Sequence, residues 1–415
     1  MTILSHPSVN SYTRNISLAL AEGGTLEKFY TTLGWGPPGA GRSWIPRKIA
    51  RERTRRELHP DVAPKVASHC WREVGRLVAG RIGAGRILCR HETGLFCLDA
   101  VYREFDRFVA RELANCSRDV TGIYAGEDAA FESFRVAGKR GIKCFYDLPI
   151  AYYAELQQLM TEEAELMPEF SQSLQGTLDS AEKLERKDAE IDAADVVIAC
   201  SAFVRDSLLR WGISSKKIEV IPYGAPEGIE ARRWSRDDLD RPLRVIFVGA
   251  LSQRKGIGYL LRAIQKLNRS DVELVLMGTW SGAPEAFAPY RRWFRYEAPR
   301  PHSAVLDLMR SCDVLVMPSI AEGFALVILE AMACGLPVIV TANTGIGDFI
   351  EDAVNGYLIP IRSADALAEK IASLADNREK VVEMGAAAVR TAEKWTWACF
   401  RKRIRETLGP EFSRV

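Results

Sequence analysis

The stretch from Glu322 to Gly335 constrains the fold of this chain more than any other. It reads Glu-Gly-Phe-Ala-Leu-Val-Ile-Leu-Glu-Ala-Met-Ala-Cys-Gly and lies between two apolar runs, 313–317 and 337–341. The pattern predicts a strand, a loop, a helix ended by glycine and a second strand, which is one unit of a parallel α/β sheet. The first-turn N–H groups of such a helix favour an anion, and the carboxylates of Glu322 and Glu330 accept hydrogen bonds from hydroxyls. The stretch therefore indicates a negatively charged ligand that carries hydroxyl groups.

Length and composition limit the class of protein. A chain of 415 residues suits two α/β domains better than one hydrophobic core. Its nine cysteines occur singly, without Cys-x-x-Cys spacing or a histidine cluster, which argues for a reducing compartment and against a structural zinc site. The sequence has neither a signal-peptide pattern nor an apolar run long enough to span a bilayer. We expect a cytoplasmic protein, with peripheral attachment to the inner face of the plasma membrane left open.

The first half of the chain alternates between strand and helix patterns. Strands are expected at 2–5, 87–89 and 142–147, among others, with helices between them, and this alternation predicts a parallel sheet with right-handed crossovers. His6 and Asp147 stand at the ends of two of these strands. Each is a candidate to face a ligand cleft, and a buried structural role is the alternative for both.

Residues 34–41 carry the letters of a dinucleotide-binding fingerprint, but we reject that interpretation. Pro37 and Pro38 lack the N–H donors that such a loop needs, and no helix opens within it, so we expect a flexible loop.

Positive charge is concentrated in residues 41–90, which hold thirteen Lys/Arg against four Asp/Glu. Within them, residues 47–58 are expected to form a very basic helix. Either this helix presents a solvated face, or it binds anionic lipid headgroups or an anionic acceptor. Nucleic acid is not an expected partner, because no recognised binding module accompanies the charge.

A charged segment, 225–241, separates the two halves of the chain. It contains Asp238-Leu-Asp240, which resembles a divalent-metal motif, but no strand precedes it and we predict no metal site there. The second half opens with a strand over 243–248 and a turn from Gly249 to Gly256. Arg254 and Lys255 therefore lie at the carboxyl edge of a sheet, where ligands of α/β folds gather.

In combination, these motifs resemble the family 4 glycosyltransferases of the GT-B fold. The turn from Gly249 to Gly256 is similar to the family's Gly-Arg-Leu…Lys-Gly turn, and Glu322 and Glu330 match its two glutamates separated by seven residues. The likeness is specific from about residue 183 to 397. It implies two Rossmann-like parallel-sheet domains that face each other across a cleft. These are an acceptor-binding domain at 1–225, a donor-binding domain at 242–395 and, at 396–415, a helix that returns to the first domain.

The resemblance also implies roles for individual residues. Lys255 contacts the diphosphate of a nucleotide-sugar donor, Arg254 assists it, and Glu322 holds the hydroxyls of the donor sugar. The remaining donor contacts come from the turn and from the helix start, namely Gly249, Phe324, Ala325, Leu326 and Glu330, the last of which accepts from the ribose hydroxyls. Transfer retains the anomeric configuration. Neither a metal ion nor another cofactor is expected, because cations and a helix N-terminus neutralise the leaving diphosphate.

Three departures from the family pattern leave alternatives open. Ala250 stands where the family often has a phosphate-binding arginine, Ala325 replaces a glycine, and the catalytic histidine of the first domain is not recognisable. The expected function is transfer of a sugar from a UDP- or GDP-sugar to a glycan or lipid-linked acceptor in cell-surface polysaccharide biosynthesis. The alternatives are a non-catalytic subunit that binds sugar nucleotides, an epimerase or a phosphorylase.

Overall fold

The chain forms two separate parallel β-sheets with helices packed on their faces. A computed structural model describes residues 1–36, 53–174 and 179–409. Every strand pair in both sheets is parallel. The predicted GT-B class, two Rossmann-like domains, is confirmed.

The first sheet has seven strands in the order β3-β2-β1-β4-β5-β6-β7. These strands are β1 Thr2–Ser5, β2 Leu26–Thr31, β3 Val66–Ser68, β4 Gly122–Gly126, β5 Lys143–Leu148, β6 Val196–Ala199 and β7 Ile218–Val220. The helices of this half are α1 Ser11–Glu22, α2 Trp71–Arg81, α3 Gly85–Leu88, α4 Leu98–Ala114, α5 Phe131–Lys139, α6 Tyr153–Leu166, α7 Ala181–Ala193 and α8 Ala202–Arg210. Strands β4 and β6 are buried along their whole length because helices cover both faces of the sheet.

The second sheet has six strands in the order β10-β9-β8-β11-β12-β13. These strands are β8 Leu243–Val248, β9 Val272–Met277, β10 Phe294–Glu297, β11 Val314–Met317, β12 Val338–Thr341 and β13 Gly356–Ile359. The remaining helices are α9 Arg236–Asp240, α10 Ile257–Leu267, α11 His302–Arg310, α12 Leu326–Ala333, α13 Ala364–Asp376, α14 Arg378–Lys394 and α15 Trp397–Leu408. The stretch from Glu322 to Gly335 thus forms the loop and the helix of the unit β11-loop-α12-β12.

Some local expectations differ from the structure. The apolar run 87–89 was expected to be a strand, but Ile87 lies in the short helix α3. A run of three apolar residues does not distinguish the two, and here Ile87 is exposed rather than placed in the sheet. Strands β3, β10 and β13, each three or four residues long, were not predicted.

The chain crosses between the domains twice, and the two crossings lie side by side. Ala225 N–H donates to the Trp395 carbonyl at 2.6 Å, and Trp397 N–H donates back to Ala225 at 3.3 Å. Helix α15 then packs on α1, where Arg401 donates to Asn15 at 2.9 Å. The return of the C-terminal helix to the first domain is therefore as expected.

A buried polar contact joins the domains beside the turn that follows β8. Gln253 Nε2 donates to Glu163 Oε1 at 2.7 Å, and Arg362 Nε donates to Glu163 Oε2 at 2.9 Å. Glu163 is completely buried, and its negative charge is balanced by Arg362. Because Gln253 directly precedes Arg254, this contact fixes the start of the turn that carries the two predicted cations.

Two predictions fall partly outside the described residues. The glycine-rich loop 34–41 is described only to residue 36, and the basic helix 47–58 only from residue 53 onward. In the described part of the chain, no helix has both the length and the apolar character needed to cross a membrane.

Candidate functional site

Lys255, Arg254 and Glu322 meet at the carboxyl edge of the second sheet. Lys255 Nζ lies 2.6 Å from Glu322 Oε1, and Arg254 Nη1 lies 3.0 Å from the same oxygen. Arg254 also donates to the Ala321 carbonyl at 2.8 Å, which holds its guanidinium against the loop that carries Glu322. The sequence separates these groups by 67 residues or more, and the parallel topology brings them together because β8 and β11 are neighbours in the sheet.

Two opposing effects determine the ionisation of Glu322 in this cluster, namely its burial and its two neighbouring cations. Burial by itself opposes ionisation of Glu322, but the Lys255 ammonium and the Arg254 guanidinium together hold the pKa of the carboxyl below its ordinary value. Gly249 is the residue that lets Lys255 lie here. A β-carbon at Gly249 would stand 3.3 Å from Lys255 Cε, and its φ of +145° is one that other residues rarely adopt.

The loop before α12 offers fewer free N–H groups than expected. Ala325 N–H donates to the Thr344 carbonyl at 3.0 Å, and Leu326 N–H donates to the Phe324 carbonyl at 3.0 Å. Of the three expected donors, only Phe324 N–H has no hydrogen-bond acceptor among the described residues. The sequence could not show this, because the neighbouring turn at 342–344 is brought against the loop only by the fold. Among the described residues no side chain caps α12, but the first-turn N–H groups of Leu326 and Ile328 already donate to the backbone carbonyls of Phe324 and Ala325.

Glu330 faces a cavity of about 470 Å³ between the two domains. The cavity is lined by Ser11, Arg14, Asn15, Pro226, His302, Leu326, Glu330 and Trp397. Glu330 Oε1 lies 3.0 Å from His302 Nε2, and this hydrogen bond raises the pKa of His302 above its ordinary value. A cavity of this size, with a few converging polar groups, suits a small polar ligand.

His6 and Asp147 lie in a different, buried cluster at the end of the first sheet. His6 Nε2 is 2.9 Å from the Tyr12 hydroxyl, and the Tyr12 ring stacks on Tyr223 with a centroid distance of 5.0 Å. Tyr223 in turn contacts Phe324 edge-to-face at 5.3 Å. Aromatic rings thus link His6 to the loop of Glu322, and no contact among the described residues joins His6 or Asp147 to the cation cluster.

Burial determines the protonation of both residues. It lowers the pKa of His6 to about 4, so the ring is neutral near pH 7. It raises the pKa of Asp147 to about 7, although a hydrogen bond from Tyr124 opposes the shift. Asp147 is 1% exposed, and its Oδ2 accepts no hydrogen bond from any described residue. These environments favour the structural alternative for both residues over direct contact with a ligand.

Asp147→Asn is expected to change how stability depends on pH. The folded state keeps the proton of Asp147 up to a pKa of about 7, whereas the unfolded chain releases it near its ordinary value of 3.8, so wild-type stability falls as pH rises between them. The asparagine side chain does not ionise, so the variant does not lose stability over this pH range. Urea unfolding at several pH values measures this effect. Relative to the wild type, the free energy of unfolding of the variant should rise by roughly 4 kcal/mol as pH increases from the ordinary pKa of the carboxyl to its pKa in the folded protein, and the difference should stay constant at higher pH. A constant difference across this range would contradict the assigned protonation.

Comparisons with known proteins agree with this geometry. Residues 229–391, which contain β8 to β13 and the whole cation cluster, match the family described as glycosyl transferases group 1. The second domain is thus similar to the group 1 glycosyl transferases. The D-inositol 3-phosphate glycosyltransferase of Corynebacterium aurimucosum is 30% identical over 231 residues, which are 50% of this chain and 55% of the relative. That of Streptomyces griseus is 29% identical over 244 residues, 50% of this chain and 52% of the relative. The chain thus spans about half the length of the curated relatives it matches.

Solved structures resemble the chain over nearly its whole length. Sucrose-phosphate synthase from Thermosynechococcus elongatus superposes with a TM-score of 0.66 at 19% identity, covering 100% of this chain and 99% of the other. HepE of Anabaena in complex with UDP-glucose gives 0.63 at 17% identity, covering 98% and 99%. At such low identity the likeness establishes the fold of both domains and nothing finer.

Residues of both domains line the cavity beside Glu330. Several of these residues were not predicted from the sequence. Arg14 and Asn15 of α1 come from the first domain, and His302 stands at the start of α11. Pro301 occupies the cap position of that helix, and the His302 ring contacts Glu330. One signal was available: α1 follows β1 directly, so its first turns lie at the carboxyl edge of the first sheet.

Proposed function

We propose that this chain is a retaining glycosyltransferase that moves a sugar from a UDP- or GDP-sugar to a glycan or lipid-linked acceptor in cell-surface polysaccharide biosynthesis. The observation that carries the proposal is the convergence of Lys255 and Arg254 on Glu322 beside the uncapped start of α12. Two cations and a helix N-terminus supply positive potential where a leaving diphosphate develops negative charge. The name of one similar protein, D-inositol 3-phosphate glycosyltransferase, supports glycosyl transfer, and the UDP-glucose complex of another supports a nucleotide-sugar donor.

In the proposed mechanism the ion pairs of Glu322 open when the donor binds. Lys255 and Arg254 turn to the diphosphate, and the freed Glu322 carboxylate accepts hydrogen bonds from sugar hydroxyls. Glu330 exchanges its contact with His302 for the ribose hydroxyls. The acceptor attacks the anomeric carbon from the face that the diphosphate leaves, and an oxygen of that diphosphate takes the acceptor's proton. The positive charge comes from side chains, so the scheme requires neither a metal ion nor another cofactor.

Mass-spectrometric screening of common UDP- and GDP-sugars tests this function. We expect one donor to release its nucleotide and sugar slowly without an acceptor, and Glu322→Gln to abolish the release. Glu369→Gln is a matched control, because Glu369 is exposed and its one ion pair within the described part of the chain is with its neighbour Lys370. Dependence on inorganic phosphate would indicate a phosphorylase, and an isomerised donor an epimerase. Tight binding without turnover would indicate a non-catalytic subunit.

Glu330→Gln is expected to weaken donor binding more than it slows turnover. A carboxylate that accepts from ribose hydroxyls is distant from the reacting carbon, so its loss affects the ground state and the transition state alike. Losing charge-assisted hydrogen bonds should raise KM for the donor on the order of tenfold. Steady-state kinetics with the donor identified by the screen measures this effect. A fall in kcat at unchanged KM would contradict the assignment.

Gly323→Ala is expected to impair the enzyme by pushing the domains apart. A β-carbon at Gly323 would lie 1.7 Å from the Pro149 carbonyl of the first domain. The Gly323 carbonyl also accepts from Ser201 Oγ at 2.7 Å, so the same contact would be lost. A displacement of the two domains by about 1 Å should lower kcat/KM roughly a hundredfold. Gly138→Ala is the control, because nothing lies within 4 Å of the added carbon there. Equal activity of the two variants would show that this domain contact is not needed.

The cell compartment and the membrane association remain part of the proposal. A cytoplasmic location and attachment to an anionic inner membrane surface through residues 41–90 were expected from composition and charge.

A further inference from the structure

Exposed apolar side chains are concentrated in one short segment of the first domain. Of the twelve large hydrophobic residues that are exposed in the described part of the chain, seven lie within residues 71–98. Ile82 is 69% exposed and Ile87 is 77% exposed, which are the two highest values of the twelve. Single exposed apolar residues are normal, whereas a contiguous group marks a surface that contacts something.

Four of these residues form a stripe along α2. They are Trp71, Val74, Val78 and Ile82, whose spacing of three or four places them on one face of the helix. The opposite face of α2 is buried through Glu73 and Ala79. The helix therefore uses its polar side for internal contacts and turns an apolar side outward, which is the reverse of an ordinary surface helix.

Phe96 joins the neighbouring loop to this stripe. Its ring contacts Trp71 edge-to-face at 6.1 Å, and its N–H donates to the Leu88 carbonyl at 2.8 Å. Arg72 donates to the Leu95 carbonyl, so Leu95 lies beside the first turn of α2. The exposed side chains of Ile87 and Leu95 are thus held next to the stripe. We call this surface, formed by the stripe with Ile87 and Leu95, the apolar face.

Arginines without an ion-pair partner among the described residues are next in sequence to the most exposed residues of the apolar face. Arg81, Arg86 and Arg90 are exposed, and none of them forms an ion pair with a residue that the structure describes. By contrast, the arginines nearer the start of α2 are neutralised, since Arg72 pairs with Glu104 and Arg76 with Glu73. The free positive charge is therefore concentrated around Ile82 and Ile87, the most exposed apolar residues.

We propose that the apolar face is a docking surface for an anionic phospholipid bilayer. Apolar side chains at the level of the headgroups, flanked by free arginines, match the chemistry of an interfacial helix that lies in the membrane plane. A second copy of this chain fits less well, because a two-fold contact would bring two copies of the same arginine-rich surface together, and their positive charges repel each other. Helix α2 begins just after β3, at the carboxyl edge of the first sheet, so docking here would place the bilayer at the same edge as His6 and the start of α1.

Vesicle co-sedimentation of the full chain tests the proposal without any donor or turnover. We expect binding to phosphatidylcholine vesicles that contain phosphatidylglycerol, weaker binding at high salt, and little binding to phosphatidylcholine alone. Ile82→Ser/Ile87→Ser should lower the partition coefficient about tenfold or more. Arg81→Gln/Arg86→Gln/Arg90→Gln should lower it on the order of a hundredfold. Because the assay does not depend on catalysis, its failure and the failure of the transferase proposal are distinguishable.

Val354→Ser/Leu358→Ser is the matched control, since both residues are exposed and apolar but lie on the second domain. This control should bind vesicles as the wild type does, and thermal unfolding of all variants checks that they are folded. Three results would overturn the proposal. They are absence of binding at low salt, equal losses in the control and in Ile82→Ser/Ile87→Ser, and self-association in light scattering that Ile82→Ser/Ile87→Ser abolishes. The last result would assign the face to a second copy of the chain.

Discussion

Lys255→Met is expected to slow sugar transfer by about 10²–10³-fold. Methionine keeps most of the apolar stem that lies against Gly249 but removes the ammonium that we assign to the leaving diphosphate. In the structure this ammonium is 2.6 Å from Glu322, inside a largely buried cluster where its charge is weakly screened. The loss should appear mainly in kcat, because negative charge on the bridging oxygen increases as the bond breaks. Single-turnover kinetics with a saturating donor measures this step.

Lys266→Met is the matched control for this variant. Lys266 lies in the last turn of α10 and is 61% exposed, and among the residues that the structure describes its one ion-pair partner is Asp365. An exposed pair of this kind contributes little, so transfer and folding should be almost unchanged. If Lys255→Met and Lys266→Met turn over at similar rates, Lys255 is not the cation that stabilises the leaving group.

Asp313→Ala is expected to destabilise the second domain by about 3–5 kcal/mol. Asp313 immediately precedes β11 and is fully buried, and its two carboxylate oxygens contact Arg232, Arg241 and Arg378, each at 2.8 Å. Removing the carboxylate leaves three guanidinium groups near one another without their shared partner. It also releases the segment 225–241 from the sheet, because Arg232 and Arg241 belong to it. The midpoint of thermal unfolding should fall on the order of 10 °C.

Asp307→Ala controls for the removal of an aspartate from the same region. Asp307 lies in α11 and is 70% exposed, and its ion pair is with Arg310 one turn later. Surface pairs one turn apart contribute a few tenths of a kcal/mol at most, so the unfolding midpoint should hardly move. A comparable loss of stability in both variants would show that the buried arginine cluster has no special role.

The residues proposed to bind the donor could be predicted from the sequence because the patterns that indicate them are local. Strand-turn-helix patterns place Lys255 and Glu322 at carboxyl ends of strands, and parallel topology then brings such ends to one edge. The predicted cations and carboxylate do meet there. The same logic placed Asp147 and His6 at strand ends, yet it could not show that Tyr12 and Tyr223 cover them. Burial of a strand end depends on which distant residues pack over it.

Contacts between the domains were the part that sequence could not supply. Nothing in the sequence around Glu163 identifies it as the partner of both Gln253 and Arg362. Likewise, no local pattern indicates that the ring of His302 reaches Glu330, 28 residues away. Long-range pairs of this kind follow from tertiary packing, which overrides local sequence preferences.

In the proposed function, the cluster of Lys255, Arg254 and Glu322 binds the diphosphate of a nucleotide. Isothermal titration of the wild type, Lys255→Met and Lys266→Met with UDP and with GDP measures this binding without any turnover. We expect at least one nucleotide to bind to the wild type and to Lys266→Met with similar affinity, and about tenfold or more weakly to Lys255→Met. Failure of both nucleotides to bind at millimolar concentration, or equal affinity for all three proteins, would contradict it.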